Sequence, residues 1–413
     1  SLLYLVRREH VIMNIAIIGL GFRGSENIKT LCRIDGVKII SICDLYEERI
    51  ERAKNYLLSS GHDPAASLSY KTALGIKGLD AAFVFTGWQS HSEIAIYAMK
   101  IGIPVACEVG GEYSIERCCQ LVDTYEDTGT PYMLLENCCY GEKELLATAA
   151  ARRGLLGRIS FCSGAYTHDI REEIAYGHRR RHYRLDNYRL RCCDNYPTHD
   201  LGPIAKLLNI NRGNRIVSLV SMSSAANGLK SYIAAREDAD EEMKSAEFCQ
   251  GDVVETLLTC QNGELIRLHL DTTLPTSYTR DFTVRGTKGA YYQFTDSFFF
   301  DGDKSYWDSC DYIADTMKNS SKFSEYMPSI WKNISEEERK KGHGGMDYFC
   351  FKSFLDAVKN GCPMPIDVYD AATWMAVSVL SEKSIAEGGT VQYMPDFTHG
   401  MWMTRAPLDV TEL

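Results

Sequence analysis

Hydrophobic positions in the first third of the chain fall into short unbroken runs that alternate with stretches of helical period. Residues 14–18, 37–42, 81–85, 103–107 and 132–135 are such runs, and helical patterns begin near Ser25 and span about 45–58. Strands buried on both faces read as continuous apolar segments, and their alternation with helices predicts a doubly wound parallel sheet. Near Glu136 the pattern changes. Residues 159–166, 216–221, 252–259, 264–270 and 281–285 read as strands with turns between them, and Gln261-Asn262-Gly263 is a hairpin signal. The expected fold class is therefore α/β: an N-terminal Rossmann-type parallel sheet, then an α+β domain with a largely antiparallel open sheet. Helices return at about 346–360 and 371–387, and the aromatic, polar stretch 296–338 predicts a long insertion over the sheet. The domains are placed at residues 12–135 and 136–413.

Composition narrows the function classes. The 413 residues are enough for two domains, and 45% hydrophobic with 24% charged residues describes an ordinary globular chain. With 45 Lys+Arg against 55 Asp+Glu the net charge is −10, which argues against a nucleic-acid binder. No apolar run approaches the roughly 18 residues of a membrane span. Residues 1–11 lack the apolar core of a signal peptide. The chain as it stands is expected to be cytoplasmic, with export from a longer precursor left open. The 15 cysteines include three adjacent pairs and no CxxC…CxxC pattern. An odd number in a long chain reads as reduced thiols, and no metal is expected.

Candidate chemistry starts at Gly19-Leu20-Gly21-Phe22-Arg23-Gly24, which follows the first strand and opens a helix. The glycines allow a tight turn, close approach of a pyrophosphate and close packing of helix on strand. Helix N-terminal amides then face the phosphates. Asp44 ends the next strand, 20 residues after Gly24, where a carboxylate binds a ribose 2′-hydroxyl and repels a 2′-phosphate. NAD is the expected cofactor. Trp88 and His91, Glu108, and Glu136 with Asn137 all follow strands of this sheet, where loops face the ligand crevice. Each carboxylate could equally cap a helix.

Three stretches stand out in the second half: Tyr166-Thr167-His168-Asp169, Asn195-Tyr196-Pro197-Thr198-His199-Asp200-Leu201-Gly202-Pro203, and Asp271-Thr272-Thr273 leading to Tyr278. Pro197 suits a first helical turn, and Asn195 and His199 would then share a helix face. Three tyrosines and two histidines beside a cleft suit a sugar, and a helix-borne histidine suits proton transfer. Tyrosines are also common in half-buried sheets. The basic run His178-Arg179-Arg180-Arg181-His182-Tyr183-Arg184, continued by Arg189 and Arg191, reads as a solvated loop with one or two anion- or sugar-binding arginines rather than a nucleic-acid patch.

Together these residues resemble the Gfo/Idh/MocA oxidoreductase-like superfamily, and more narrowly glycoside hydrolase family 109, the NAD-dependent α-N-acetylgalactosaminidases. The narrower resemblance rests on Gly19–Gly24 with Asp44, Trp88…His91, Glu108-Val109, Glu136-Asn137, Tyr166…His168-Asp169, the Tyr196–His199 block with Gly202-Pro203, Asn209-Ile210-Asn211-Arg212-Gly213, and Asp271–Thr273 with Tyr278. Sugar dehydrogenases of the superfamily usually carry Glu-Lys-Pro where this chain has Glu108-Val109-Gly110, so their proton-transfer lysine is missing. Asn195 stands where many of them have aspartate, and Asp200 replaces an expected glycine.

The resemblance implies a redox-neutral glycosidase outside the two-carboxylate scheme. NAD would take hydride from the sugar C3, a base would remove the C2 proton, the aglycone would leave C1, water would add, and the hydride would return. It implies Gly19, Gly21, Phe22, Arg23, Gly24, Asp44, Trp88, His91, Glu108, Val109 and Asn137 at the cofactor. It implies Glu136, Tyr166, His168, Arg184, Tyr196, His199 and Tyr278 at the substrate. His199 would serve the C3 hydroxyl, and Tyr166, or else Tyr196, would be the C2 base with a lowered pKa. The partner is then a small glycoside, and the open sheet face suggests a homo-oligomer. A net NAD-dependent sugar or cyclitol dehydrogenase and a non-catalytic NAD or sugar sensor are the alternatives.

Overall fold

The computed structural model describes residues 12–303 and 316–413. Its first sheet has six parallel strands: β1 (Met13–Ile18), β2 (Val37–Cys43), β3 (Ala65–Ser67), β4 (Ala81–Val84), β5 (Val105–Cys107) and β6 (Tyr132–Leu134). Their order is β3-β2-β1-β4-β5-β6. The order reverses between β1 and β4, which opens a crevice at their C-terminal ends. The apolar runs form these strands because both faces are covered: Ile15, Ile17, Ala82, Phe83 and Val84 have no exposed surface. The expected strand at 103–107 is shortened to Val105–Cys107, and Pro104 contributes its carbonyl to Ala82 N–H.

The second sheet has nine strands: β7 (Ile159–Thr167), β8 (Ile216–Ser223), β9 (Val253–Cys260), β10 (Leu265–Asp271), β11 (Thr283–Gly286), β12 (Gly289–Tyr292), β13 (Ser297–Phe300), β14 (Lys318–Asn319) and β15 (Gln392–Tyr393). The order is β14-β13-β12-β11-β7-β10-β9-β8-β15. Its pairings are antiparallel except between β7 and β10. The Asn262-Gly263 turn joins β9 to β10, with Gly263 at φ +97°.

One expectation is corrected here. The stretch 296–338 does not simply lie over the sheet. It supplies the edge strands β13 and β14, and its aromatic residues pack on that edge, with the Phe323 ring 4.8 Å from that of Phe298. Residues 304–315 of this stretch lie outside the described residues. The closing helices, Met346–Asn360 and Val368–Ala386, were grouped with the second domain, yet they also cover the first sheet. Phe351 and Phe354 stand edge-on to Phe83 of β4, with ring centres 5.6 and 5.2 Å away, and Leu134 N–H of β6 donates to the Ile366 carbonyl at 3.1 Å. One continuous apolar core consequently joins the two sheets.

The Asn209–Gly213 motif explains part of this joint. Asn211 Nδ2 donates to the Tyr369 carbonyl at 3.1 Å, and Arg212 Nη2 reaches Asp367 Oδ2 at 2.7 Å. Asp367 in turn caps the helix Val368–Ala386. The described cysteines are free, and most are buried. Among the described residues no helix is long and apolar enough to cross a membrane.

Candidate active site

The glycine turn is built for a dinucleotide. Gly19 sits at φ +97°, and a Cβ on Gly24 would lie 2.0 Å from the Gly19 carbonyl oxygen, so the helix Phe22–Leu31 is pressed onto the turn. A Cβ on Gly21 would meet only the Arg49 guanidinium at 3.5 Å, which leaves open space where a phosphate needs it. Asp44 follows β2. Its Oδ2 accepts from Leu20 N–H at 2.7 Å and its Oδ1 from Tyr46 N–H at 3.1 Å. A carboxylate has further lone pairs for a ribose hydroxyl. Phe22 is 81% exposed beside this turn.

Arg23 does more than line the turn. Its Nε donates to Glu108 Oε1 at 2.9 Å, and its two terminal nitrogens reach the Asp347 carboxylate at 3.2 and 3.3 Å. Asn137 Nδ2 donates to Asp347 Oδ1 at 2.7 Å, and His343 Nδ1 lies 2.9 Å from Oδ2. Burial would raise the Asp347 carboxyl, but Arg23 and His343 outweigh it and hold the group far below the usual carboxylate range. Asp347 and His343 were missed in the sequence because no motif marks them.

Trp88 opens the helix Trp88–Lys100 and is buried. His91 faces its own loop: Nε2 lies 2.9 Å from the Thr86 carbonyl oxygen, and burial pushes the imidazole down to about 4, so it is neutral. Val109 is buried, and Gly110 lies directly beneath the indole. A Cβ there would come 2.5 Å from the Trp88 ring, so the proline usual in Glu-Lys-Pro has no room. Glu108 caps no α-helix, since the next one starts at Ile115. Glu136 both caps and bridges: Oε1 accepts from Cys138 N–H at 3.0 Å and meets His199 Nδ1 at 2.7 Å.

Against burial, which would raise it, the charge and hydrogen bond of His199 bring Glu136 below its usual value. In that contact His199 Nδ1 is the nitrogen that faces the carboxylate, which leaves Nε2 as the ring nitrogen available to a ligand. Glu136, Cys138 and His199 bring ligand-type atoms within 4.8 Å of one another. The 2.7 Å hydrogen bond already accounts for the Glu136–His199 part of that cluster.

The helix carrying His199 starts at Thr198, with Pro197 as its cap. Asn195 lies before it, which corrects the expected shared helix face. Tyr196 and His199 nevertheless meet with ring centres 4.7 Å apart. Tyr166, near the end of β7, lies 4.7 Å from Tyr196 and 5.5 Å from His199 by ring centre, and its hydroxyl is 3.0 Å from His168 Nδ1. Trp88 stacks on Tyr196 at 5.5 Å. The Arg184 guanidinium lies 4.8 Å from the Tyr196 ring centre and 5.6 Å from that of Trp88.

The expected lowering of the Tyr166 phenol is absent. Burial raises it, and Arg184 offsets only part of the shift. Burial also lowers His168, helped by the Arg184 charge. Tyr278, 48% exposed, forms the rim. Its hydroxyl accepts from Arg280 at 3.1 Å, and Arg280 is fixed by the buried Glu144 at 2.7 Å. Arg280 and Glu144 were not singled out in the sequence. Trp88 Nε1, Arg184 Nε, Asn195 Nδ2, Glu108 Oε2 and Glu136 Oε2 are buried without a partner. Such a concentration of unpaired polar atoms marks a site that ligands complete.

Of the basic run, Arg184 joins the site. Arg179 pairs with Asp240, Arg180 with Glu172 and Arg191 with Glu382.

Two carboxyls lie behind His199. Asp194 and Asp200 are both buried, and burial raises both, with the Asp194 charge adding to the rise at Asp200. A carboxyl raised on folding binds protons that the unfolded chain has lost, so its contribution falls as pH climbs from the unfolded value through the folded one. Asp200→Asn is therefore expected to raise the unfolding temperature, by more at pH 8 than at pH 5. Thermal melts across that range check this, and a gain that is largest at acid pH would refute it.

A Rossmann sheet followed by an open sheet, with a polar and aromatic cluster between them, is the arrangement of Gfo/Idh/MocA-type oxidoreductase folds. Residues 13–135 match the family model described as oxidoreductase family, NAD-binding Rossmann fold, and residues 140–404 match that of the glycosyl hydrolase 109 C-terminal domain. The chain belongs to glycosyl hydrolase family 109, and it is an NAD-dependent enzyme of glycosidase type. A glycosyl hydrolase family 109 protein of Stenotrophomonas maltophilia is 33% identical over 96% of this chain and 91% of its own length. An α-N-acetylgalactosaminidase of Tannerella forsythia is 33% identical over 94% and 87%. Among solved structures, a levoglucosan dehydrogenase in complex with NADH and levoglucosan is similar at TM-score 0.69 and 16% identity, over 93% of this chain and 99% of that one. A scyllo-inositol dehydrogenase of Lactobacillus casei with bound NAD(H) and scyllo-inositol matches at 0.63 and 12%, over 92% and 99%. These two likenesses speak to the fold.

Proposed function

We propose that the protein hydrolyses N-acetylgalactosaminides by a redox-neutral route, in which oxidation at C3 permits elimination across C1–C2, followed by addition of water. One observation carries this reading: the pocket holds two separate proton-transfer pairs, Glu136–His199 and Tyr166–His168. A plain dehydrogenation needs one base for one hydroxyl, whereas elimination needs a second base for a carbon acid. NAD would be held by the Gly19–Gly24 turn, Asp44, Phe22, Arg23, Trp88, Glu108, Val109 and Asn137, and when bound it would supply a hydride acceptor and donor for C3. His91 supports that wall through Thr86.

His199 Nε2 takes the proton of the C3 hydroxyl, with the Glu136 carboxylate balancing the imidazolium. Tyr166 is the C2 base. Its hydroxyl, 3.0 Å from His168 Nδ1, accepts the C2 proton as its own proton passes to His168. Tyr196 and Trp88 form the wall against the sugar, and Arg184 and Tyr278 hold it from the sides. The division at residues 135 and 136 then separates cofactor binding from most of the sugar site.

The experiment is release of nitrophenol from a nitrophenyl N-acetyl-α-galactosaminide with nicotinamide absorbance followed in parallel. We expect aglycone release without net NADH, and exchange of a C2 deuterium with solvent. Aglycone release with retained label would reject elimination. Stoichiometric NADH from free sugar without aglycone release would favour a sugar dehydrogenase.

A further inference from the structure

Three consecutive arginines leave the short helix Gly177–Arg180 in the second half of the chain, and they go to different places. Arg179 and Arg180 pair with Asp240 and Glu172, both in the same half. Arg181 turns the other way. Its backbone adopts φ +53°, a conformation that L-residues other than Asn and Asp seldom take. Its side chain crosses to the Rossmann half, where Nη1 lies 2.5 Å from Glu48 Oε1 and the guanidinium carbon 4.1 Å from the Tyr46 ring centre.

Tyr46 and Glu48 immediately follow Asp44. Tyr46 N–H is bonded to the Asp44 carboxylate, and Arg49, 3.7 Å from the same carboxylate, lies 4.7 Å from the Tyr46 ring centre. The crossing spans a cleft of about 690 Å³. Gly21 and Phe22 of the glycine turn, Arg49, and Arg179 to Arg181 line it together.

We propose that Arg181 is a latch at the adenosine end of the nucleotide groove: carried by the second domain, it closes on Tyr46 and Glu48 beside the ribose carboxylate and slows the escape of bound NAD. The latch rests on the NAD site itself. It serves the proposed cycle because a cofactor reduced and reoxidised in place has no need to leave between turnovers. A net dehydrogenase must exchange its cofactor every turnover and gains nothing from it.

The contact is half exposed on both sides, with 50% and 60% of the two side chains accessible. A salt-bridge and cation–π contact of this exposure changes a rate modestly, by about 5- to 20-fold. It is also screened by salt.

The test loads the full chain with NADH, chases it with excess NAD⁺, and follows the loss of bound-NADH fluorescence by stopped flow. Arg181→Ala is expected to release NADH about 5- to 20-fold faster. Glu48→Gln is expected to speed release by a smaller factor, and the double variant no more than Arg181→Ala. Arg189→Ala, whose partner Glu242 lies in its own half and which does not line the cleft, is expected to release at the wild-type rate. Wild-type release should quicken with added salt more than that of Arg181→Ala. Release of NADH from Arg181→Ala at the wild-type rate would overturn the latch, as would equal acceleration in Arg189→Ala. If Arg181→Ala does not fold, Glu48→Gln decides from the other side of the contact. No glycoside enters the assay, so the latch and the glycosidase reading fail independently: a chain inert on galactosaminides but faster-releasing in Arg181→Ala loses the latter and keeps the former.

Discussion

Alanine at His199 is expected to lower glycoside turnover by about 10²- to 10⁴-fold, the range over which a positioned base acts. The loss has two physical parts. The acceptor at Nε2 disappears, and the buried Glu136 carboxylate loses the partner that keeps it ionised. Phenylalanine at Tyr166 is expected to fall in the same range while leaving the ring contacts with Tyr196 intact. The two variants should give the same result in isotope exchange, for different reasons. His199→Ala blocks the step before C2 becomes acidic, and Tyr166→Phe blocks C2 proton removal itself, so neither should wash out a C2 deuterium. NAD occupancy, read by absorbance after denaturation, should stay near wild type in Tyr166→Phe. Near-wild-type turnover in both variants would sink these roles.

The second large effect lies away from the sugar. Asp347→Ala is expected to cost about 3–5 kcal/mol of unfolding free energy, because removing one partner of a buried ion pair strands the other. Here it removes the acceptor of Asn137 Nδ2 and leaves the Arg23 guanidinium with Glu108 alone to balance its charge. The Asp347 carboxyl is depressed on folding, so its contribution is present above the unfolded value and is lost as pH falls. The gap between wild type and variant should therefore start to narrow below about pH 4, be smaller at pH 3.5 than at pH 7, and close only in much stronger acid. Denaturant unfolding at pH 7 and pH 3.5 measures both points, together with the NAD content of each protein. A variant as stable as wild type at pH 7 would refute the assignment.

The contrast between these two predictions says what a sequence carries. The Rossmann half was legible because each signal is local: a β-branched run makes a strand buried on both faces, and Gly19 to Gly24 with Asp44 has fixed spacing. The antiparallel strands from β7 to β11 were legible for the same reason. Gly110 could be seen as a departure from Glu-Lys-Pro, but its cause, the indole of Trp88 above it, is a tertiary contact. Asp347 belongs to a helix more than 300 positions after Arg23, and no periodicity announces that they meet. The pairing of Tyr166 with His168 was open to inspection at a spacing of two, yet alternate residues of a strand share a face only once the strand is given. Asn195 shows the opposite failure, since a spacing of four suggested one helix face and the helix begins three residues later. Edge strands β13 and β14 were hidden because their aromatic residues sit in a segment without clear alternation.

The cover that Met346–Asn360 and Val368–Ala386 give to the first sheet has a consequence for biosynthesis. Phe83 and its neighbours on β4 emerge from the ribosome more than 250 residues before Phe351 and Phe354 that bury them. Domains that fold as they are made bury their apolar surface at once, whereas this first sheet must wait with an uncovered aromatic face until those two helices have been made. At about 5–20 residues per second that interval is tens of seconds at the slow end. Nascent chains stalled before residue 346 should therefore recruit chaperones through that face, and release past residue 386 should free them.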